Sequence, residues 1–307
     1  LSSLNGGNGF RLDGIDEDDY AGRSVSGAGD VNGDGCDDLI VGASDADPGG
    51  ESRAGESYVV FGSTNEYVSL DLSSLNGTRG FRLDGINAFD FSGYSVSGAG
   101  DVNGDGFGDV VVGARYADVG GADAAGESYV VFGKANWTAS LDLSSLNGAN
   151  GFRLDGIDSE DYSGCSVSGA GDVNGDGFHD VIVGAFDAGS GSFADRGECY
   201  VVFGAATGWS PALDLSSLDG TNGFRLDGAN PGDHAGYSVS GTGDVNGDGC
   251  DDVIVGTYPD LAYTGDDAGE TYVVFGARSG WPASLPLSSL DGTNGFCLDG
   301  IAGVTYS

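Results

Sequence analysis

Short apolar runs alternate with glycine- and aspartate-rich breaks along the whole of this chain. Between residues 80 and 133 the runs are Phe81-Arg-Leu-Asp84, Tyr94-Ser-Val-Ser-Gly98, Val110-Val-Val-Gly113 and Glu127-Ser-Tyr-Val-Val-Phe132. Each is short, rich in Val, Tyr or Phe and bounded by Gly, Asp, Asn or Ser, which predicts β-strands. No stretch carries apolar residues at helical spacing. The Leu-Ser-Ser-Leu segments at 72–75, 143–146 and 215–218 predict one helical turn each and no more.

The whole pattern repeats. Its clearest marker is an acidic nonapeptide at 30–38, 101–109, 172–180 and 244–252, at intervals of 71, 71 and 72 residues. A unit of about four antiparallel strands, repeated in tandem, predicts sheets arranged radially. The expected fold is all-β, a β-propeller of four four-stranded blades in a single domain, 1–307. The repeats run about 10–80, 81–151, 152–223 and 224–295, with an extra partial repeat at 296–307. Each nonapeptide joins a Ser-Val-Ser-Gly strand to a Val-Ile-Val-Gly-type strand as a tight hairpin, so all four should emerge on one face.

Every copy begins Asp-Val-Asn-Gly-Asp-Gly and ends in Asp, which places side-chain oxygens at positions 1, 3, 5 and 9. A hard cation such as Ca2+ takes six to eight oxygens from carboxylates, carbonyls and water, at about 2.3–2.6 Å. Three carboxylates crowded into nine residues repel one another unless a cation compensates. An EF-hand opens the same way but needs a Glu at position 12 and flanking helices. Position 12 here is Val41, Val112, Val183 or Val255, inside expected strands, so that reading fails.

Charge narrows the partners. Forty-eight acidic residues face 11 Lys and Arg, a formal charge of −37, which makes nucleic acid and anionic membrane surfaces poor partners. No apolar run is long enough to span a bilayer, so no membrane insertion is expected. With 15 Phe, 13 Tyr and 3 Trp the chain can bury a core. It begins at Leu1 and contains no Met, as expected of a processed mature protein or a fragment whose signal peptide lies outside the given chain. Five cysteines allow up to two disulfides or five buried thiols.

These residues resemble the FG-GAP repeat, the blade unit of the integrin α-subunit propeller. The resemblance rests on Gly-Tyr-Ser-Val-Ser-Gly at 93–98 and 236–241, on Asp-Val-Asn-Gly-Asp-Gly, and on the Val-Gly that follows the loop. It implies about four Ca2+, one per repeat. The ligands implied are Asp30, Asn32, Asp34 and Asp38; Asp101, Asn103, Asp105 and Asp109; Asp172, Asn174, Asp176 and Asp180; and Asp244, Asn246, Asp248 and Asp252. Position 7, which is Cys36, Phe107, Phe178 or Cys250, contributes only its backbone carbonyl, which accounts for the unlike side chains there. The resemblance also implies an extracellular or cell-surface location and a structural or adhesive role. Integrin-type propellers have seven blades, whereas this chain supplies four, and its unit is longer, with added loops such as 45–56 and 118–127.

No catalytic constellation accompanies the repeats. His179 and His234 fall at non-equivalent positions, and no nucleophile elbow, zinc-binding helix or phosphate loop occurs. Two recurring acids invite assignment: Asp19, Asp90, Asp161 and Asp233 before the first strand, and Glu56, Glu127, Glu198 and Glu270 opening the third. Turn-capping is the expectation for both sets. The Phe-x-Leu-Asp-Gly strand occurs five times, at 10–14, 81–85, 152–156, 224–228 and 296–300, one more than four blades need. Its two terminal copies are expected to compete for one place in a closed ring. Two outcomes are expected: one copy closes the ring and the other is spare, or one molecule's terminal strand completes the next molecule's blade, giving a head-to-tail oligomer or filament. The other reading is a binding module for an extracellular protein or glycan, through loops that differ between blades such as 115–125 or 257–268.

Overall fold

The computed structural model describes residues 4–64, 69–189, 195–258 and 269–300. Strand β1 (Arg11–Asp13) is followed by the first blade: β2 (Ser24–Gly29), β3 (Asp38–Ala43), β4 (Glu56–Val60) and, after β5 (Ser69–Asp71), β6 (Gly80–Asp84). The second has β7 (Ser95–Gly100), β8 (Asp109–Ala114), β9 (Glu127–Val131) and, after β10 (Ser140–Asp142), β11 (Gly151–Asp155). The third has β12 (Ser166–Gly171), β13 (Asp180–Ala185), β14 (Glu198–Val202) and, after β15 (Ala212–Asp214), β16 (Gly223–Asp227). The fourth has β17 (Ser238–Gly243), β18 (Asp252–Gly256), β19 (Glu270–Val274) and, after β20 (Ser284–Pro286), β21 (Gly295–Asp299).

Within each blade the four strands pair antiparallel in that order. The outermost strand therefore comes from the start of the following sequence repeat. A short parallel strand from the next linker is added outside it: β10 beside β6, β15 beside β11, β20 beside β16. The Leu-Ser-Ser turns are single 3-10 turns. The first three are capped by an Asp, as Asp71 accepts from the Ser73 N–H.

The inner strands β2, β7, β12 and β17 lie side by side in that order. The cores sit between blades. Ile40, Val59 and Phe81 of the first face Val110, Val112 and Tyr129 of the second, and the arrangement recurs at the next two interfaces. Trp137, Trp209 and Trp281 each stack on the Phe of a neighbouring outer strand, Phe81, Phe152 and Phe224. Among the described residues the arc is open between the fourth blade and the first. Val25 on β2 is 64% exposed, whereas its equivalent Val96 is 4% exposed. Within one molecule the two terminal copies of the repeated strand take different places: 295–299 completes the fourth blade, and 11–13 lies parallel to β5. The end of the partial repeat, 301–307, is outside the described residues.

Blade spacing is set by glycine. A Cβ at Gly113 would fall 2.0 Å from the carbonyl oxygen of Gly164 in the next blade, but at the equivalent Gly256 the nearest atoms are 3.6 Å away. Gly113→Ala should destabilise the protein by about 1–3 kcal/mol through overpacking against backbone. Gly256→Ala should stay within about 0.5 kcal/mol. Urea midpoints of the two variants check this.

Candidate metal centre

Each acidic nonapeptide is the hairpin between the first two strands of its blade. The ladder slips by one residue just before it, between Gly27 and Gly29 in the first blade and at the matching glycines of the others. This bulge, with Gly29 at φ +69°, turns the chain into the loop.

Positions 1, 3 and 5 are gathered around one backbone amide. The Asp34 N–H donates to Asp30 Oδ1 at 3.0 Å and to Asn32 Oδ1 at 2.8 Å, and the Gly35 N–H donates to Asp30 Oδ2. The Cys36 N–H donates to Asp34 Oδ1. The same bonds recur around Asp105, Asp176 and Asp248. Position 9 is placed differently. Asp38 is fully buried and accepts from Val31 N–H at 2.9 Å and from Gly62 N–H, beyond the third strand, at 2.8 Å. Asp109, Asp180 and Asp252 hold equivalent amide pairs. The structure thus draws positions 1, 3 and 5 together and anchors position 9 to the sheet. Three acidic or thiol groups with ligand atoms all within 4.8 Å occur, among the described residues, at Glu270, Cys297 and Asp299 rather than at a hairpin.

Burial pushes the Asp38 carboxyl up to about 6, Asp109 to about 7 and Asp180 to about 8; the loop acids add to the rise and the amides oppose it. Burial likewise raises Glu127 and Asp161 to about 7. The folded state therefore holds more protons than the unfolded chain between the ordinary carboxylate range and these values. In chelator, stability should fall as pH rises from about 5 to 8. Melting curves at stepped pH in EDTA check the sign.

Neighbouring hairpins are joined. The Gly108 N–H donates to the Asp30 carbonyl at 2.9 Å, His179 N–H to Asp101, and Asp251 N–H to Asp172. The position 7 side chain packs on the position 4 glycine of the preceding hairpin: Phe107 on Gly33, Phe178 on Gly104, Cys250 on Gly175. Its identity thus matters to packing, which the reading of it as a bare carbonyl missed. Asp90, Asp161 and Asp233 cap turns, accepting from the N–H three residues earlier. The Glu set does not. Glu56 is bonded to the Tyr58 hydroxyl and lies 3.3 Å from Arg82, which also pairs with Asp84. All five cysteines are free thiols, with Cys165, Cys199 and Cys250 buried.

The other end of the blades is aromatic. Phe91, Tyr116, Tyr162, Phe186, Tyr237 and Tyr258 form one continuous row, with successive ring centroids 4.9–5.8 Å apart. These residues precede the first strand or follow the second, opposite the hairpins. Arg115 lies over Tyr94 at 3.8 Å and over Tyr116 at 4.6 Å.

Radial four-stranded sheets, each bearing one oxygen-lined hairpin, define an integrin α-like β-propeller repeat protein. A sequence model of the FG-GAP repeat matches residues 21–60, 92–131, 166–200 and 235–274, and the chain belongs to that family. It is similar to integrin alpha-V of Gallus gallus, 29% identical over 245 residues, covering 79% of this chain and 20% of the relative. Integrin alpha pat-2 of Caenorhabditis elegans is 32% identical over 174 residues, 56% of this chain and 14% of the relative. Integrin alpha-PS2 of Drosophila melanogaster is 28% identical over 294 residues, 90% of this chain and 18% of the relative. The chain therefore spans a fifth or less of these relatives. No helix among the described residues is long and apolar enough to cross a membrane.

Proposed function

We propose that this chain is a calcium-stabilised, non-enzymatic adhesion module working outside the cell, folded as one unit over residues 1–307. The observation that carries the reading is the fourfold recurrence of one hairpin geometry in a chain of the FG-GAP family. The donor set fits a hard cation: three carboxylates, one side-chain amide and one backbone carbonyl, all oxygen. In the first hairpin Asp30, Asn32, Asp34, the Cys36 carbonyl and Asp38 would hold it; the corresponding residues named above would do so in the others. The ion would supply positive charge at the point where like charges crowd.

A binding role fits the opposite face. Aromatic and arginine side chains are enriched at protein interfaces, and here the aromatic residues form an unbroken, half-exposed row across the second, third and fourth blades. The partner is an extracellular protein or glycan. Of the loops expected to recognise it, 115–125 lies at this face, whereas 259–268 falls outside the described residues. Saturable binding on a panel of extracellular-matrix proteins and glycans should weaken at least about tenfold in Tyr116→Ala or Tyr162→Ala. Binding that survives both changes removes the aromatic row from the reading.

A further inference from the structure

The five copies of the Phe-x-Leu-Asp strand are not equally well housed. Phe81, Phe152 and Phe224 are fully buried and stacked under tryptophans, whereas Phe296 is 36% exposed and Leu298 53% exposed. The charges differ too. In the first three blades the Arg of this strand pairs with the Glu that opens the third strand: Arg82 with Glu56, Arg153 with Glu127, Arg225 with Glu198. In the fourth blade Cys297 stands opposite Tyr272 in that register, so Glu270, Asp299 and the thiol converge with no guanidinium among them.

The copy at the other end has the reverse problem. Arg11 is present and already paired with Asp13 at 2.6 Å. Its parallel register on β5, Arg11 beside Ser69 and Asp13 beside Asp71, repeats that of Arg82 on Ser140 and Asp84 on Asp142. Strand β1 thus lies where the outer strand of a preceding blade belongs. Among the described residues, however, β5 is its one strand neighbour.

The faces beside these strands complement each other. On the first blade Val25 and Leu39 are exposed, and Leu39 lines a cleft of about 450 Å3 with Phe10, Cys36, Asp37 and Phe61. Cys36-Asp37 repeats Cys250-Asp251, the pair that receives the third hairpin: Cys250 meets Gly175, and Asp251 Oδ2 accepts from the Asp172 N–H at 2.8 Å. On the fourth blade Val245 is exposed, and a Cβ at Gly243 would meet nothing within 4 Å.

We propose that copies of this chain associate head to tail by strand exchange, residues 10–14 of one copy completing the fourth blade of the next in place of its own 296–300. In the register of β21 on β19, Arg11 of the incoming copy takes the place of Cys297 beside Glu270, and Asp13 that of Asp299. The blade arriving with it buries Val25 and Leu39 against Val245, with Cys36 over Gly247 as Cys250 lies over Gly175. The interface is heterologous, so it propagates unless both ends are blocked. It depends on the strands and faces, not on which ion fills the hairpins.

The test uses the full chain in calcium, by sedimentation equilibrium, with circular dichroism showing that each variant is folded. The wild type should form a concentration-dependent series in multiples of 30.7 kDa. Cys297→Arg equips the resident strand with the missing cation and should weaken association at least about tenfold; Arg11→Glu sets like charges together and should do the same. Mixing the two variants should restore a single intact junction, Arg11 of one meeting Glu270 of the other, and give a dimer that grows no further. A wild type that is monomeric throughout, variants that associate as the wild type does, or a mixture without the dimer each overturns the proposal.

Discussion

Chelating divalent cations should lower the melting temperature by about 20 °C. A free ion at a hundredfold excess over its dissociation constant stabilises the folded state by about 2.7 kcal/mol per site, and four sites approach about 11 kcal/mol. That matches the whole net stability of an ordinary domain. The size follows from what the hairpins must otherwise carry: in each, the carboxylates at positions 1 and 5 share one backbone turn, with a buried third behind them. Scanning fluorimetry of one sample in millimolar calcium and then in EDTA measures the change. Magnesium should restore less, since it demands shorter, near-octahedral coordination and gives up its waters reluctantly. A melting temperature indifferent to EDTA would remove calcium from the account, and the hairpins would then be held by their amide bonds alone.

Features carried by neighbours in sequence were legible in the chain. The strands, the hairpins, the single turns at Leu-Ser-Ser and the oxygen positions all follow from local alternation, turn residues and the repeat interval. What could not be read depends on residues brought together from different repeats. The packing of Phe107 on Gly33 joins residues 74 apart, and nothing local to either marks it. The pairing of Glu56 with Arg82 crosses from the third strand to a strand borrowed from the next repeat, so the glutamates looked like turn caps. Strands β5, β10, β15 and β20 have three residues each, too few for alternation to show, and exist because an outer strand offers them an edge. The aromatic row had a signal that went unused: Tyr or Phe recurs just before the first strand, at Tyr20, Phe91 and Tyr162. The meeting of Phe91 and Tyr162 with Tyr116 and Phe186 required the second strands to end at the same level.

Two aspartates of one hairpin should separate the structural part of the site from its metal-holding part. Asp180 is buried and accepts from the Val173 and Gly204 N–H groups, tying the hairpin to the end of the third strand. Asp180→Ala strands both donors in the interior at about 1–3 kcal/mol each, so it should cost about 3–5 kcal/mol even in EDTA. Asp176 is an exposed loop residue accepting from Phe178 N–H and Asn174 Nδ2. With water able to replace it, Asp176→Ala should cost under about 1 kcal/mol in EDTA. In calcium the order changes. Asp176→Ala should drop the bound ions by one in native mass spectrometry and forfeit about 2.7 kcal/mol of the calcium-dependent gain. Asp180→Asn keeps an acceptor for one amide while removing the charge, and should fall between the two in EDTA while also losing one ion. If Asp176→Ala binds the full complement, position 5 is not a ligand, and the hairpin acids serve only to turn the chain.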